Sequence, residues 1–284
     1  VSVFAAQDSD TLSDIPEIGT IEDQQSGSLS DFYNVEDTTT LSDDDAASSA
    51  PAISNNAYQI GTAEELTWFA SAVNDGTAET QNAVLTANID LNNVEWKPIG
   101  TTQKKYTGTF NGQNNRVTGL YISTPDLMAG LFGFADTGSK IENLTVAGNI
   151  SISNFNQPNK SCMIGGIVAV SRGDIINCHN EVNISLTNYA CKTLNVGGIC
   201  GSIGLNGTVN SIVGCTNVGD ISCSVNPGST DKFAYAGGIA GRLNFNPKVD
   251  SCKNTGSVSV ALTGFGTGCA GGITNLSYVS EVDI

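Results

Sequence analysis

The sequence predicts an all-β fold, a parallel β-helix that opens with one short amphipathic capping helix. Three observations carry that expectation. A block of twelve residues recurs without gaps at intervals of 34, 37 and 37 residues. A glycine group stands upstream of every block. Beyond Gly76 no segment shows the apolar stripe of a helix, whereas period-two alternation returns again and again. A period of this size means stacked supersecondary units rather than isolated sites, and short strands with frequent turns make each unit one coil of a solenoid.

The elements follow in chain order. "VSVFAAQ" resembles the end of a signal peptide, with Val3 and Ala5 in the small-residue positions before a cleavage point, so residues 1–6 read as a signal remnant. Residues 7–56 read as a disordered linker rich in Ser, Thr and Asp, because their scattered apolar residues cannot offset the entropy of ordering. Residues 1–56 together hold 12 acidic residues and no Lys or Arg. Asp43, Asp44 and Asp45 lack the Gly turn and the spaced carboxylates of a calcium loop and read as solvated linker. The solenoid is expected over 57–284. Its helix starts at Thr62, an N-cap with Glu65 three residues on, carries Leu66, Phe69, Ala70 and Val73 on one stripe, and ends before Gly76. "NAVLTANIDL" then alternates as a strand, with Leu85, Ile89 and Leu91 in one set.

The repeat comes next. Aligned on Leu144, Cys178, Cys215 and Cys252, the blocks read "IENLTVAGNISI", "IINCHNEVNISL", "IVGCTNVGDISC" and "VDSCKNTGSVSV". Three residues earlier stand Ile141, Ile175, Ile212 and Val249, and six later Ile150, Ile184, Ile221 and Val258. Stacked at about 4.8 Å per rung, equivalent residues form columns, so the four residues of the Leu144 set are expected inside, where a free Cys behaves as a small hydrophobe. Asn180, Asn217 and Asn254 form another column whose amides are expected to bond along the stack. The glycine groups are "GLFG" at 130–133, "GGIVA" at 165–169, "GGICG" at 197–201, "GGIAG" at 237–241 and "GGITN" at 271–275. Gly130, Gly133, Gly166, Gly198, Gly201, Gly238 and Gly241 are read as structural, taking backbone conformations closed to other residues and letting the chain turn between strands. None has the strand–helix context, Lys and Ser/Thr of a phosphate loop.

"WKPIGTTQKKYTGTFNGQNNRVTGLYI", followed by "GLFGFADTGSKIENLTV" and the GGIxG copies, resembles the GLUG-repeat proteins, whose Gly-Leu-hydrophobic-Gly motif is spelled by Gly130, Leu131, Phe132 and Gly133. The resemblance covers roughly residues 57 to 284. It implies a right-handed β-helix on an exported, extracellular or cell-surface bacterial protein, adhesin-like, and similar to the non-catalytic segment upstream of IgA-specific metallopeptidase domains. It supplies no catalytic residues. The last copy stops at "GGITNLSYVSEVDI" before completing its block, and the chain is expected to belong to a longer protein.

Charge narrows the function. A formal net charge of −16 argues against nucleic acid, whose phosphates need a clustered basic surface. No stretch reaches the ~18 apolar residues of a membrane span. The expected role is a non-enzymatic module without cofactor or metal, for adhesion, ligand binding or spacing, with host glycans or surface proteins as partners. The competing reading is a carbohydrate-active hydrolase or lyase, which needs only two well-placed carboxylates. Its candidates Asp174, Asp220 and Asp250 fall at different repeat offsets or on turns, and Arg172 and Arg242 follow glycine groups singly. His179, the one histidine, follows Cys178, but neighbours on a strand point to opposite faces, so the two are not expected to meet. H-E-x-x-H and CxxC are absent. Variable loops such as "SNFNQPNKSC" and "VNPGSTDKFAY" are expected to carry recognition. Asn143, Asn149, Asn159, Asn183, Asn206 and Asn275 each start an N-x-S/T triplet.

Overall fold

A computed structural model describes residues 50–204, 208, 210–226, 233–263 and 266–277. The signal remnant, the triple Asp and residues 7–49 of the linker lie outside the described residues. Parallel strands stack into a β-solenoid of about 4 turns, and each complete coil has four faces. In one coil these are Lys140–Glu142, Thr145–Ser153, Asn156–Gly165 and Val168–Ser171, and the next coil begins at Asp174–Ile176 on the first face. The strand His179–Gly197 runs without a break across the corner between the second and third faces.

The register reproduces the sequence alignment residue for residue. On the first face Phe110, Ile141, Ile175, Ile212 and Val249 stack. On the second, Ile122, Ile150, Ile184, Ile221 and Val258 do so, beside Ile152, Leu186, Cys223 and Val260. These side chains face inward and all are buried except Val258 and Val260, which lie in the last described coil and are half-buried. Alternation thus places one apolar ladder on each side of every strand's inner surface, and stacking turns ladders into a core.

Helix α1, Ala63–Asn74, covers the N-terminal end of that core. Both halves of its capping box form: Glu65 N–H donates to Thr62 Oγ1 at 3.2 Å and Thr62 N–H to the Glu65 carboxylate at 3.2 Å. Leu66, Phe69, Ala70, Ala72 and Val73 are buried. Phe69 meets the edge of Tyr106 (5.8 Å between ring centroids) and lies 6.2 Å from Phe110, which in turn packs edge-on to Phe132. Aromatic rings therefore fill the region where the first coils are short and irregular.

Three expectations need correction. The folded chain starts before residue 57, because Ala52–Ser54 pairs antiparallel with Ala57–Ile60. "SNFNQPNKSC" is not a loop: Asn156–Gly165 is a strand, and Phe155 is buried, stacked on Tyr189 at 4.4 Å. In "VNPGSTDKFAY", residues 227–232 lie outside the described residues. The glycines, finally, are needed for crowding more than for unusual backbone angles. Of the seven, only Gly130 has a positive φ. A Cβ on Gly166, Gly198 or Gly238 would sit 2.2, 2.4 or 2.2 Å from the side chain of Asn180, Asn217 or Asn254, and as close to the carbonyl of the next coil's glycine. On Gly133 it would meet Gly100 O at 2.4 Å, on Gly201 Ala169 O at 2.7 Å, and on Gly241 Val196 N at 2.5 Å. The left-handed corners fall elsewhere, on Asn143, Asn177, Gly214 and Ser251, one residue before each member of the Leu144 column. Asn and Gly tolerate that region best.

Candidate functional site

Inside the solenoid one column of asparagine amides bonds along the stack. Asn180 Nδ2 donates to Asn217 Oδ1 at 2.7 Å, and Asn217 Nδ2 to Asn254 Oδ1 at 2.7 Å. Each amide also donates to the carbonyl two residues on, Val182, Gly219 and Gly256 respectively. This ladder is structural. Leu144, Cys178 and Cys215 are buried, and Cys252, in the last described coil, is half-buried. All eight cysteines are free thiols. The Cys178 thiol beside it, and burial, push the Cys215 thiol up, while burial above all raises Cys200 and Cys223 to about 12. A buried neutral thiol is a poor nucleophile and a poor metal ligand. Among the described residues no group of three or more His, Cys, Asp or Glu is placed to hold a metal ion.

The carboxylates proposed for hydrolysis do not converge. Asp174 lies on the first face and accepts a hydrogen bond from Ser211 Oγ at 2.8 Å. Asp250, on the same face two coils on, is held by Lys248 at 2.9 Å. Asp220 is exposed at the start of a second-face strand, where its Oδ1 accepts the Ser257 N–H at 2.8 Å. Arg172 is committed to Asp136 at 3.2 Å and lies over the Phe134 ring, which Lys105 covers as well. A shallow groove of about 270 Å³ runs beside Thr109, Lys140, Arg172 and Asp174, and Asp174 is the one carboxylate among its described lining residues.

Outside, the second face presents its alternate side chains to solvent in register. One edge is charged: Arg116 grips Glu181 through both guanidinium nitrogens (3.0 and 2.6 Å), Glu181 also accepts from His179 Nε2 at 3.1 Å, and His179 Nδ1 pairs with Thr216 Oγ1. The Arg116 bonds hold the Glu181 carboxyl below the usual range. Cys178 faces the core behind His179, as alternation requires. Farther along the strands lie two exposed columns. Asn149, Asn183, Asp220 and Ser257 form one; Ser151, Ser185, Ser222 and Ser259 form the other. Among the described residues Ser151, Ser185 and Ser222 make no hydrogen bond through their hydroxyls, and Ser259 donates to Ile221 O at 3.3 Å. Sequence reasoning passed over this column, although every block carries Ser seven residues after the Leu144 position; the apolar positions drew the alignment. Of the N-x-S/T asparagines, Asn149 and Asn183 lie on this face, Asn159 is exposed on the third, and Asn206 is outside the described residues.

No protein-family model matches the chain. A protein of Evansella cellulosilytica described as a "Putative Gly-rich membrane protein" is 28% identical over 130 residues, which is 45% of this chain but 15% of that protein. The chain thus spans well under a fifth of that relative's length. Among solved structures, a "putative immunoglobulin A1 protease" from Bacteroides ovatus aligns over 76% of this chain and 84% of its own, with a TM-score of 0.45 and 15% identity. Among the described residues no helix is long and apolar enough to cross a membrane.

Proposed function

We propose that this chain is a surface-displayed, non-catalytic β-solenoid module of the GLUG-repeat kind, exported and used to bind an extracellular ligand at its second face. One observation carries the reading: the exposed side chains that the fold arranges most regularly are short, polar and in register over successive coils, while the available carboxylates are dispersed and already held by Ser, Lys or backbone partners. Chemistry needs converging groups around a reacting atom. Recognition of an extended partner needs a rigid, repetitive surface, which solenoids offer along their length.

Two measurements test the proposal. Protease shaving of intact source cells is expected to release peptides from residues 57–284 before any cytoplasmic marker appears; release only after lysis would remove the surface assignment. Incubation of the full chain with a panel of neutral and acidic polysaccharides is expected to generate no new reducing ends or unsaturated sugars. Turnover abolished by Asp220→Asn would replace the binding module with the hydrolase or lyase reading.

A further inference from the structure

Cysteine fills the Leu144 position on three successive coils, each thiol stacked on the last. Every Cys stands one residue before a register pair, His179–Thr216 or Thr216–Lys253, and the Thr216 and Lys253 N–H groups donate to the Cys178 and Cys215 carbonyls at 2.9 Å. The thiols lean back toward the preceding coil: Cys215 Sγ donates to Ile175 O at 3.6 Å and Cys252 Sγ to Ile212 O at 3.4 Å, while the Cys178 N–H donates to Cys215 Sγ at 3.4 Å. Cys252 Sγ is thereby turned toward Cys215, and the two thiols lie within hydrogen-bonding reach of each other. Cα atoms one rung apart, about 4.8 Å, fall inside the roughly 4.4–6.8 Å that a disulfide spans. Side chains that leave parallel strands in register keep their Cβ atoms near the rung spacing, wider than the roughly 3.5–4.5 Å of a relaxed bridge, so a bridge here is strained and readily reduced. Access differs along the column. Cys178 and Cys215 are sealed in the core, whereas Cys252 is half-buried in the last described coil, beside Val258 and Val260, which are half-buried as well.

We infer that Cys215 and Cys252 form a reversible redox pair, oxidised by an external disulfide to a bridge that ties the last two described coils together. Cys252 reacts first. Its thiolate attacks one sulfur of the external disulfide R–S–S–R, forming a mixed disulfide and expelling RS⁻, which takes up the proton that Cys252 lost. Cys215, one rung away, then gives up its own proton, and its sulfur attacks Cys252 Sγ and expels the second RS⁻, protonated in turn. The protein loses two protons and two electrons, and the external disulfide becomes two thiols. The Cys215 thiol, and then burial, push the Cys252 thiol up, so little thiolate exists at neutral pH and oxidation quickens as pH rises. Cys269, also half-buried, stacks on Tyr235 and has no thiol in register on that side to resolve an adduct. Extracellular surroundings sustain disulfides, so the proposed export brings the pair to its oxidant; the bridge itself forms or fails in vitro whatever the location.

The test equilibrates the full folded chain at pH 8 with oxidised and reduced glutathione in graded ratios, quenches with acid, alkylates under denaturing conditions and maps non-reduced peptides by mass spectrometry. A Cys215–Cys252 bridge is expected to appear as the oxidised fraction rises and to reverse on return to the reduced buffer, with a melting temperature several degrees higher while it is closed. Cys215→Ala is expected to stop the reaction at a Cys252–glutathione adduct, Cys252→Ser to leave Cys215 unreacted, and Cys178→Ser still to form the bridge. Where the melt of reduced Cys215→Ala shows it unfolded, early quenching of the unaltered chain supplies the same reading, as a transient Cys252 adduct that precedes the bridge. Absence of the bridge at every ratio, a Cys252 adduct that persists in the unaltered chain, or a Cys178–Cys215 bridge in its place would overturn the pairing. Release of the chain from cells only on lysis would remove the export reading and leave the redox pair standing.

Discussion

Replacing Asn217 by Ala tests whether the buried amide ladder holds the coils together. Its amide makes three hydrogen bonds: it accepts from Asn180 at 2.7 Å and donates to Asn254 Oδ1 at 2.7 Å and to Gly219 O at 2.9 Å. Truncation strands two acceptors, while Asn180 keeps its bond to Val182 O. A stranded buried group costs about 1–3 kcal/mol, and Asn254, half-buried, regains part of its loss from water. The expected destabilisation is therefore about 3 kcal/mol, read from the shift in urea midpoint at constant m. Gly198→Ala extends the test. Its Cβ would stand 2.4 Å from Asn217 Cγ and 2.3 Å from Gly238 O, so overpacking of about 1–3 kcal/mol or more is expected. In the Asn217→Ala background part of that clash disappears, and the two changes together cost less than their sum. A cost for Asn217→Ala no greater than for exposed Ser222→Ala, or strict additivity with Gly198→Ala, would refute the interlock.

Three further outcomes are expected. Ile221→Ala removes three buried carbons between Ile184 and Val258 and should cost roughly 2–5 kcal/mol, whereas Asp220→Ala, exposed beside it, should cost on the order of 0.5 kcal/mol; equilibrium unfolding ranks the two, and the reverse order would mean the strand register is wrong. The six buried thiols should label slowly at pH 8 in the native protein and rapidly once denatured. Because burial raises Cys200 and Cys223 to about 12, their contribution to stability is fully present below the unfolded thiol value of about 8.5 and lost as pH climbs toward the folded value; prompt native labelling of Cys215 would show that its column is open. Glu181 behaves in the opposite sense. Its depressed value means that the contribution of the Arg116 pair is present above the unfolded Glu value of about 4.3 and lost as pH falls through the folded one, so Glu181→Gln should flatten the acid limb of a stability profile. An unchanged limb would show the pair to be energetically idle.

The repeat made the stacking legible before any coordinates. In-register coils bring a residue against its own equivalent one period away, so an alignment without gaps is already a contact list: Ile150 on Ile184 on Ile221, Asn180 on Asn217 on Asn254. The capping box at Thr62 and Glu65 was equally readable, being local. What the alignment could not supply were contacts between different faces of a coil, because these depend on how sharply the chain bends at each corner. The motif glycines looked like turn formers, yet their absent Cβ leaves room for an asparagine amide from the following coil, 14 to 19 residues on in sequence. Arg116 and Glu181 are 65 residues apart and share no repeat position, so only the stacked second face joins them. The same holds for the serine column, whose regular spacing was visible as letters. That its hydroxyls stand exposed was decided by the strands' alternation, which turns the isoleucines beside them inward.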